Sequence, residues 1–199
     1  MAARRLLRAL GALAVIGPLH AAADELAPIN PAPGAQTWSW EAEGISVRLT
    51  QILPDQLRGF YLARGFGADA AERIARACVF QTVIRNAGAG QTVDIDLHRW
   101  RTLAGGDRQP LEIKEDWLAQ WEAEGAPPHA RLAFRWALFP TTHTFRTGDW
   151  NMGMTFTGRP PAASFDLEVE FAVGERIVRG TITGLQCAAG TARQGAGAS

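Results

Sequence analysis

The stretch FDLEVEFAVGERIVRGTITGL, residues 165–185, decides the fold class of this chain. Its first half alternates apolar residues, from Phe165 to Phe171, with aspartate and glutamate. Gly174 then separates it from a second alternating run that ends at Leu185. A period of two puts the apolar side chains on one face of a β-strand, and strands joined by short turns are antiparallel.

The same period recurs along the chain and predicts an all-antiparallel architecture. Further strands are predicted over residues 45–50, 78–84, 93–98, 132–138 and 150–156. Apolar residues spaced three and four apart predict short helices over residues 54–64, 69–77 and 115–123. The predicted fold is mainly β: an antiparallel β-sandwich, either immunoglobulin-like or an open barrel, with two or three short helical insertions.

The two ends of the chain differ in composition from this central part. Residues 1–23 combine an arginine-rich start, a short apolar run and a small-residue site at Ala21–Ala23, which predicts a secretory signal peptide. Residues 24–36 are rich in proline and predict a flexible lead-in, and residues 188–199 predict a disordered tail. The expected organisation is a single domain over residues 37–187, exported to a bacterial periplasm.

Charge and hydropathy exclude some classes of partner. The chain has a formal charge of zero, and the predicted signal peptide contains three arginines and no acidic residue. A mildly acidic mature protein has no electrostatic reason to bind nucleic acid. No apolar stretch after the signal peptide approaches the roughly 20 residues of a membrane-spanning helix, so no integral membrane segment is expected.

The chain has two cysteines, Cys78 and Cys187. An isolated pair in an oxidising compartment predicts a structural disulfide, which here ties an early strand to the last one.

The candidate metal site lies in the segment PTTHTFRTGDWNMGMTF, residues 140–156. It brings together His143, Met152 and Met154, and thioether with imidazole ligands suits copper. Asp149 and Trp150 are expected to position this loop for a partner. The alternative interpretation is that the methionines share an apolar strand face with Trp150 and fill a core.

Tryptophan offers a second kind of site. Trp38 and Trp40 share one strand face near the start of the domain, where exposed indoles form stacking platforms for flat ligands. This pattern predicts a small-molecule or glycan-binding module as the alternative function, without a metal.

Catalysis is the least favoured interpretation. No Gly-x-Ser-x-Gly elbow is present, and bridged cysteines leave no thiol nucleophile. A hydrolase would depend on Asp94, Asp96 and His98, which follow one another on the polar side of a predicted strand. The first hypothesis is therefore a non-catalytic periplasmic accessory protein that binds a protein partner, with copper bound by His143, Met152 and Met154 in one form of it.

Overall fold

The computed structural model describes residues 32–190, which form ten strands in two antiparallel sheets together with four helices. The strands are β1 (Thr37–Ala42), β2 (Ile45–Gln51), β3 (Val79–Asn86), β4 (Val93–Asp96), β5 (Arg101–Ala104), β6 (Asp107–Pro110), β7 (Thr142–Phe145), β8 (Trp150–Phe156), β9 (Ser164–Val173) and β10 (Arg176–Gln186). The helices are α1 (Pro54–Leu62), α2 (Ala68–Ala75), α3 (Lys114–Ala123) and α4 (Pro128–Ala137). The predicted class, a mainly β antiparallel sandwich with helical insertions, is confirmed.

The first sheet has the strand order β1-β2-β3-β8. Its β1–β2 hairpin turns at Glu43 and Gly44, both of which have positive φ, as a two-residue hairpin turn requires. The inner face of this sheet, which includes Val47, Phe80 and Ile84, packs against the second sheet.

The second sheet is organised around β9. Strand β10 pairs along one side of β9, while β4 and β5 pair with different parts of its other side. The four alternating apolar residues of β9, from Phe165 to Phe171, are all buried in the core between the sheets. Complete burial of one face explains why this strand had the clearest sequence pattern.

The helices form a second core on the outer side of the first sheet. Leu57 and Tyr61 of α1, Trp121 of α3 and Phe134 of α4 pack there with Phe156 of β8. These rings meet at centroid separations of 5 to 6 Å, in tilted and edge-to-face arrangements. The helical insertions therefore cover only the end of the sheet that carries Val79 and Phe156.

The predicted disulfide is present between Cys78 and Cys187. Cys78 immediately precedes β3 of the first sheet and Cys187 immediately follows β10 of the second, so the bond joins the two sheets.

The prediction of a strand over residues 132–138 is wrong, because this segment belongs to α4 and the loop after it. Leu132, Phe134 and Trp136 alternate with polar or small residues, but Leu132 and Trp136 face solvent. The buried residues are Ala130, Phe134 and Leu138, four apart, which is the helical period. The number of helices accordingly rises to four from the predicted two or three.

Three of the predictions fall wholly or mostly on other parts of the chain. The signal peptide over residues 1–23 lies outside the described residues, as do most of the lead-in (24–36) and most of the tail (188–199).

Candidate functional site

The candidate site is the part of the outer surface of the first sheet that the helices leave uncovered, which we call the open face. Strand register places its residues in two rows, one above the other. The rows are Glu41, Ser46, Arg85 and Trp150, and Ser39, Arg48, Val83 and Met152. Alternation along β8 directs Trp150, Met152, Met154 and Phe156 to this side of the sheet.

Burial along this face of β8 decreases steadily towards its N-terminus. Phe156 is buried in the helical core and Met154 is half-buried against it, but Met152 is 40% exposed and Trp150 is 48% exposed. The expectation that this apolar face fills a core therefore applies to its C-terminal half alone. Large apolar side chains left exposed together on a sheet mark a binding surface.

A second exposed tryptophan lies on α4, the helix that ends beside Met154 of β8. Trp136, in the last turn of α4, is 79% exposed, and Leu132, one turn earlier, is 54% exposed. Helix α4 ends beside β8, because Leu138 forms a β-bridge with Met154 and the Phe139 N–H donates to the Met154 carbonyl oxygen at 2.9 Å. Sequence analysis missed Trp136 because it assigned the segment to a strand core.

Gly153 makes this close approach of α4 and β8 possible. A Cβ at position 153 would lie 2.4 Å from the backbone nitrogen of Phe139 and 2.8 Å from the carbonyl carbon of Leu138. The glycine between the two methionines therefore admits the backbone that follows α4.

The charges around the open face are mainly positive. Arg48 is exposed and has no ion-pair partner among the described residues, and Arg85 lies beside Trp150 in the cross-strand register. Glu41, on the far strand β1, is the one carboxylate in the two rows. Arg146, just before β8, is exposed and forms no ion pair with any residue of the described chain, whereas Arg135 of α4 lines a groove with Glu115 and Glu122 of α3.

The structure does not bring the three predicted copper ligands together on one surface. His143, on β7, pairs with Ile95 and has its ring against Phe145 at 4.6 Å between centroids, so it faces the core between the sheets. Met152 and Met154 lie on the outer side of the first sheet.

Both thioether sulfurs already accept hydrogen bonds. The amide Nε2 of Gln81 donates to Met152 Sδ at 3.2 Å. The Tyr61 hydroxyl donates to Met154 Sδ at 3.4 Å, and burial raises the pKa of this phenol well above its usual range, which keeps it a donor. No group of three or more His, Cys, Asp or Glu side chains suited to a metal ion occurs within residues 32–190.

A Cu(I) titration tests the predicted copper site directly. We expect the parent protein and a Met152→Leu/Met154→Leu variant to compete equally poorly with a Cu(I) chelator under anaerobic conditions. The reason is that the two sulfurs lack the imidazole that would complete a three-ligand set. A one-to-one complex that survives the chelator in the parent and disappears in the variant would instead establish copper binding by the methionines.

The other predicted surface residues have structural contacts. The Asp149 carboxylate accepts a hydrogen bond from the Arg146 backbone N–H at 2.8 Å and so holds the turn before Trp150. Trp38 Nε1 donates to the Gly184 carbonyl oxygen at 3.1 Å, and Trp40 stacks on Phe171 at 5.6 Å. The two N-terminal tryptophans are half-buried against the core instead of forming an open platform.

The acidic side of β4 also has local partners. The Asp94 carboxylate accepts a hydrogen bond from the Thr144 hydroxyl. Asp96 accepts from the His98 backbone N–H at 3.0 Å and contacts its ring Nδ1 at 2.8 Å. The pKa of Asp96 is lowered: burial raises it, and the contacts with His98 and Arg99 lower it by more. The arrangement caps the short helical turn at Leu97–Arg99.

Within residues 32–190, none of the helices combines the length and apolar composition that crossing a bilayer requires.

Comparison of the chain with known protein families, curated proteins and solved structures gives no match, so its function is argued from its own residues.

Proposed function

We propose that this chain is an exported, non-catalytic binding protein that docks a protein partner on the open face. The observation that carries the proposal is the joint exposure of Trp150 and Met152 on an otherwise ordered β-strand. Tryptophan, methionine and arginine are the residue types enriched at protein interfaces, where lysine and glutamate are depleted. The uncovered half of the first sheet has this composition.

The geometry of the open face supports docking of a large, flat surface. Its residues lie on neighbouring strands in continuous register, with Val83 between Met152 and Arg48. Trp150 is a suitable anchor because tryptophan and arginine dominate the binding energy of most measured interfaces. Export is supported by the arginine-rich, apolar start of the chain and by the disulfide.

Site-specific photo-cross-linking in the source bacterium tests this function. A benzophenone amino acid replaces Met152 in one variant and Ile177 of β10, which is 41% exposed, in a matched control. We expect a discrete protein adduct from position 152 and none from position 177.

The cross-linked protein is then identified, purified and titrated against the unmodified chain. Trp150→Ala should weaken this complex at least tenfold, as removal of an interface anchor does. Equal adducts from both positions, or equal affinity of the parent and Trp150→Ala, would contradict the proposal.

A glycan is the second candidate, favoured by the exposure of a further tryptophan, Trp136 of α4, in addition to Trp150. Two exposed indoles can stack on sugar rings, while Ser39, Ser46 and Arg48 offer hydrogen-bonding groups. Quenching of tryptophan emission by oligosaccharides, lost in Trp136→Ala, would favour this candidate over a protein partner.

A further inference from the structure

One side of β8 is only partly paired, and this free edge allows the mode of docking to be argued further. On one side β8 pairs with β3 along its whole length. On the other side the Phe139 N–H donates to the Met154 carbonyl oxygen at 2.9 Å, and the Glu112 N–H donates to the Phe156 carbonyl oxygen at 3.1 Å.

Residues two apart on a strand direct their backbone groups to the same side. Trp150 and Met152 therefore direct theirs to the same side as Met154 and Phe156. Within residues 32–190, neither forms a backbone–backbone hydrogen bond on that side. The N-terminal half of β8 is an open sheet edge.

A single side chain protects this edge. The Met152 N–H donates to Oδ1 of Asn151, its own neighbour, at 2.7 Å. This contact satisfies the amide while the edge is empty, and an incoming strand can replace it with a carbonyl oxygen. Unpaired edges accept added strands unless a side chain or charge prevents it.

The charges next to this edge select the kind of strand. Arg146 begins the turn that leads into β8, since the Asp149 N–H donates to the Arg146 carbonyl oxygen at 3.0 Å. Arg146 is exposed and forms no ion pair within the described part of the chain. The nearby Asp149 carboxylate is held by the Arg146 backbone N–H. A second copy of the chain would bring the same arginine to the same edge, whereas an acidic segment complements it.

We propose that the partner contributes an acidic, extended segment that adds to the free edge of β8. The segment hydrogen-bonds to the backbone of Trp150 and Met152 and places apolar side chains beside their side chains on the open face. Its flanking carboxylates face Arg146. This inference rests on the proposed function and specifies the chemistry of the partner at the same surface.

The test uses three fluorescein-labelled, terminally blocked heptapeptides and fluorescence anisotropy with the purified chain. The first peptide has valine and leucine two residues apart, flanked by aspartate and glutamate. The second is the same peptide with its central residue replaced by proline. This change keeps the charge but prevents strand pairing. The third replaces every acidic residue with lysine. We expect binding of the first peptide alone.

Two variants separate strand addition from general attraction. Arg146→Glu should weaken the acidic peptide at least fivefold, and the loss should shrink as salt is raised. Asn151→Ala should strengthen binding about threefold, because it removes the side chain that competes for the Met152 N–H. A merely structural role for Asn151 would weaken binding or leave it unchanged.

Three results would each overturn the inference. The first is binding of the proline peptide as tight as that of the first peptide, and the second is displacement of the acidic peptide by an anionic oligosaccharide. The third is a dimer of the free chain in sedimentation that is lost in Trp150→Ala. Failure of all three peptides, together with a specific adduct at position 152, would overturn strand addition but leave the proposed function standing. Peptide binding without any adduct at position 152 would support strand addition but contradict the proposed function.

Discussion

Replacing Cys78 and Cys187 together with alanine is expected to lower the free energy of unfolding by about 4–5 kcal/mol. The disulfide closes a loop between residues 109 positions apart, so its loss greatly increases the conformational entropy of the unfolded chain. A domain of ordinary stability has only about 5–15 kcal/mol in total, so the variant should lose at least about a quarter of its stability.

Urea unfolding of the parent, the double variant and the parent under reducing conditions measures this effect. The parent after reduction should resemble the double variant, since both lose the same constraint. A difference below about 1 kcal/mol between parent and double variant would show that the inter-sheet contacts alone hold the sandwich together, contrary to the expectation.

Gly153→Ala is expected to lower the free energy of unfolding by about 2–3 kcal/mol, at the upper end of the range for overpacking. The new methyl group would meet the backbone of Leu138 and Phe139, with the shortest contact at 2.4 Å to the Phe139 nitrogen. Backbone cannot move aside as a flexible side chain can, so the hydrogen bond from the Phe139 N–H to Met154 must lengthen or break.

Gly59→Ala is the matched control for this variant. Gly59 lies inside α1, and no atom lies within 4 Å of the position that its Cβ would take. Alanine should stabilise this helix by about 0.5–1 kcal/mol, because glycine is a poor helix former. If the two variants changed stability by the same amount and sign, the close approach at Gly153 would have no energetic consequence.

The strand pattern of the sequence predicted the fold class well where one face of a strand is wholly buried. In β9 the four apolar residues alternate with polar or acidic ones, and all four lie in the core. The period of a strand tells which face is buried but says nothing of which strands are neighbours. The short turn at Gly174 predicts that β9 pairs with β10, but the pairing of β9 with β4 and β5, which are distant in the chain, was out of reach of the sequence.

Helix α4 shows how this reasoning failed. Leu132 and Trp136 lie on its solvent side although they are apolar. Together with the buried Phe134 they imitate the two-residue period of a strand. The doubled proline at 127–128 marks the start of α4 as well as the end of the preceding segment, since proline is favoured in the first turn of a helix. Reading Pro128 as the first residue of a helix would have revealed the four-residue spacing of Ala130, Phe134 and Leu138.

The candidate site was only partly predictable for a related reason. Trp150 and Met152 were recognised from the sequence as unusual, but the sequence cannot tell how far a helical insertion extends over a sheet. Here the helical core extends along β8 only as far as Met154. The next two residues on this face, Met152 and Trp150, are therefore exposed. His143 is close to the methionines in sequence yet lies in the other sheet, because the turn held by Asp149 passes between sheets.

The central position of β9 also bears on how the chain is made. A ribosome releases β4 and β5 well before β9, so their pairing edges and apolar faces have no partner while the middle of the chain is being synthesised. Folding of the second sheet must wait for β9, which begins only at Ser164 of the 199 residues, so it is a late and slow event dominated by distant contacts. Until β9 is synthesised, these unpaired edges and apolar faces are the part of the nascent chain most prone to aggregate.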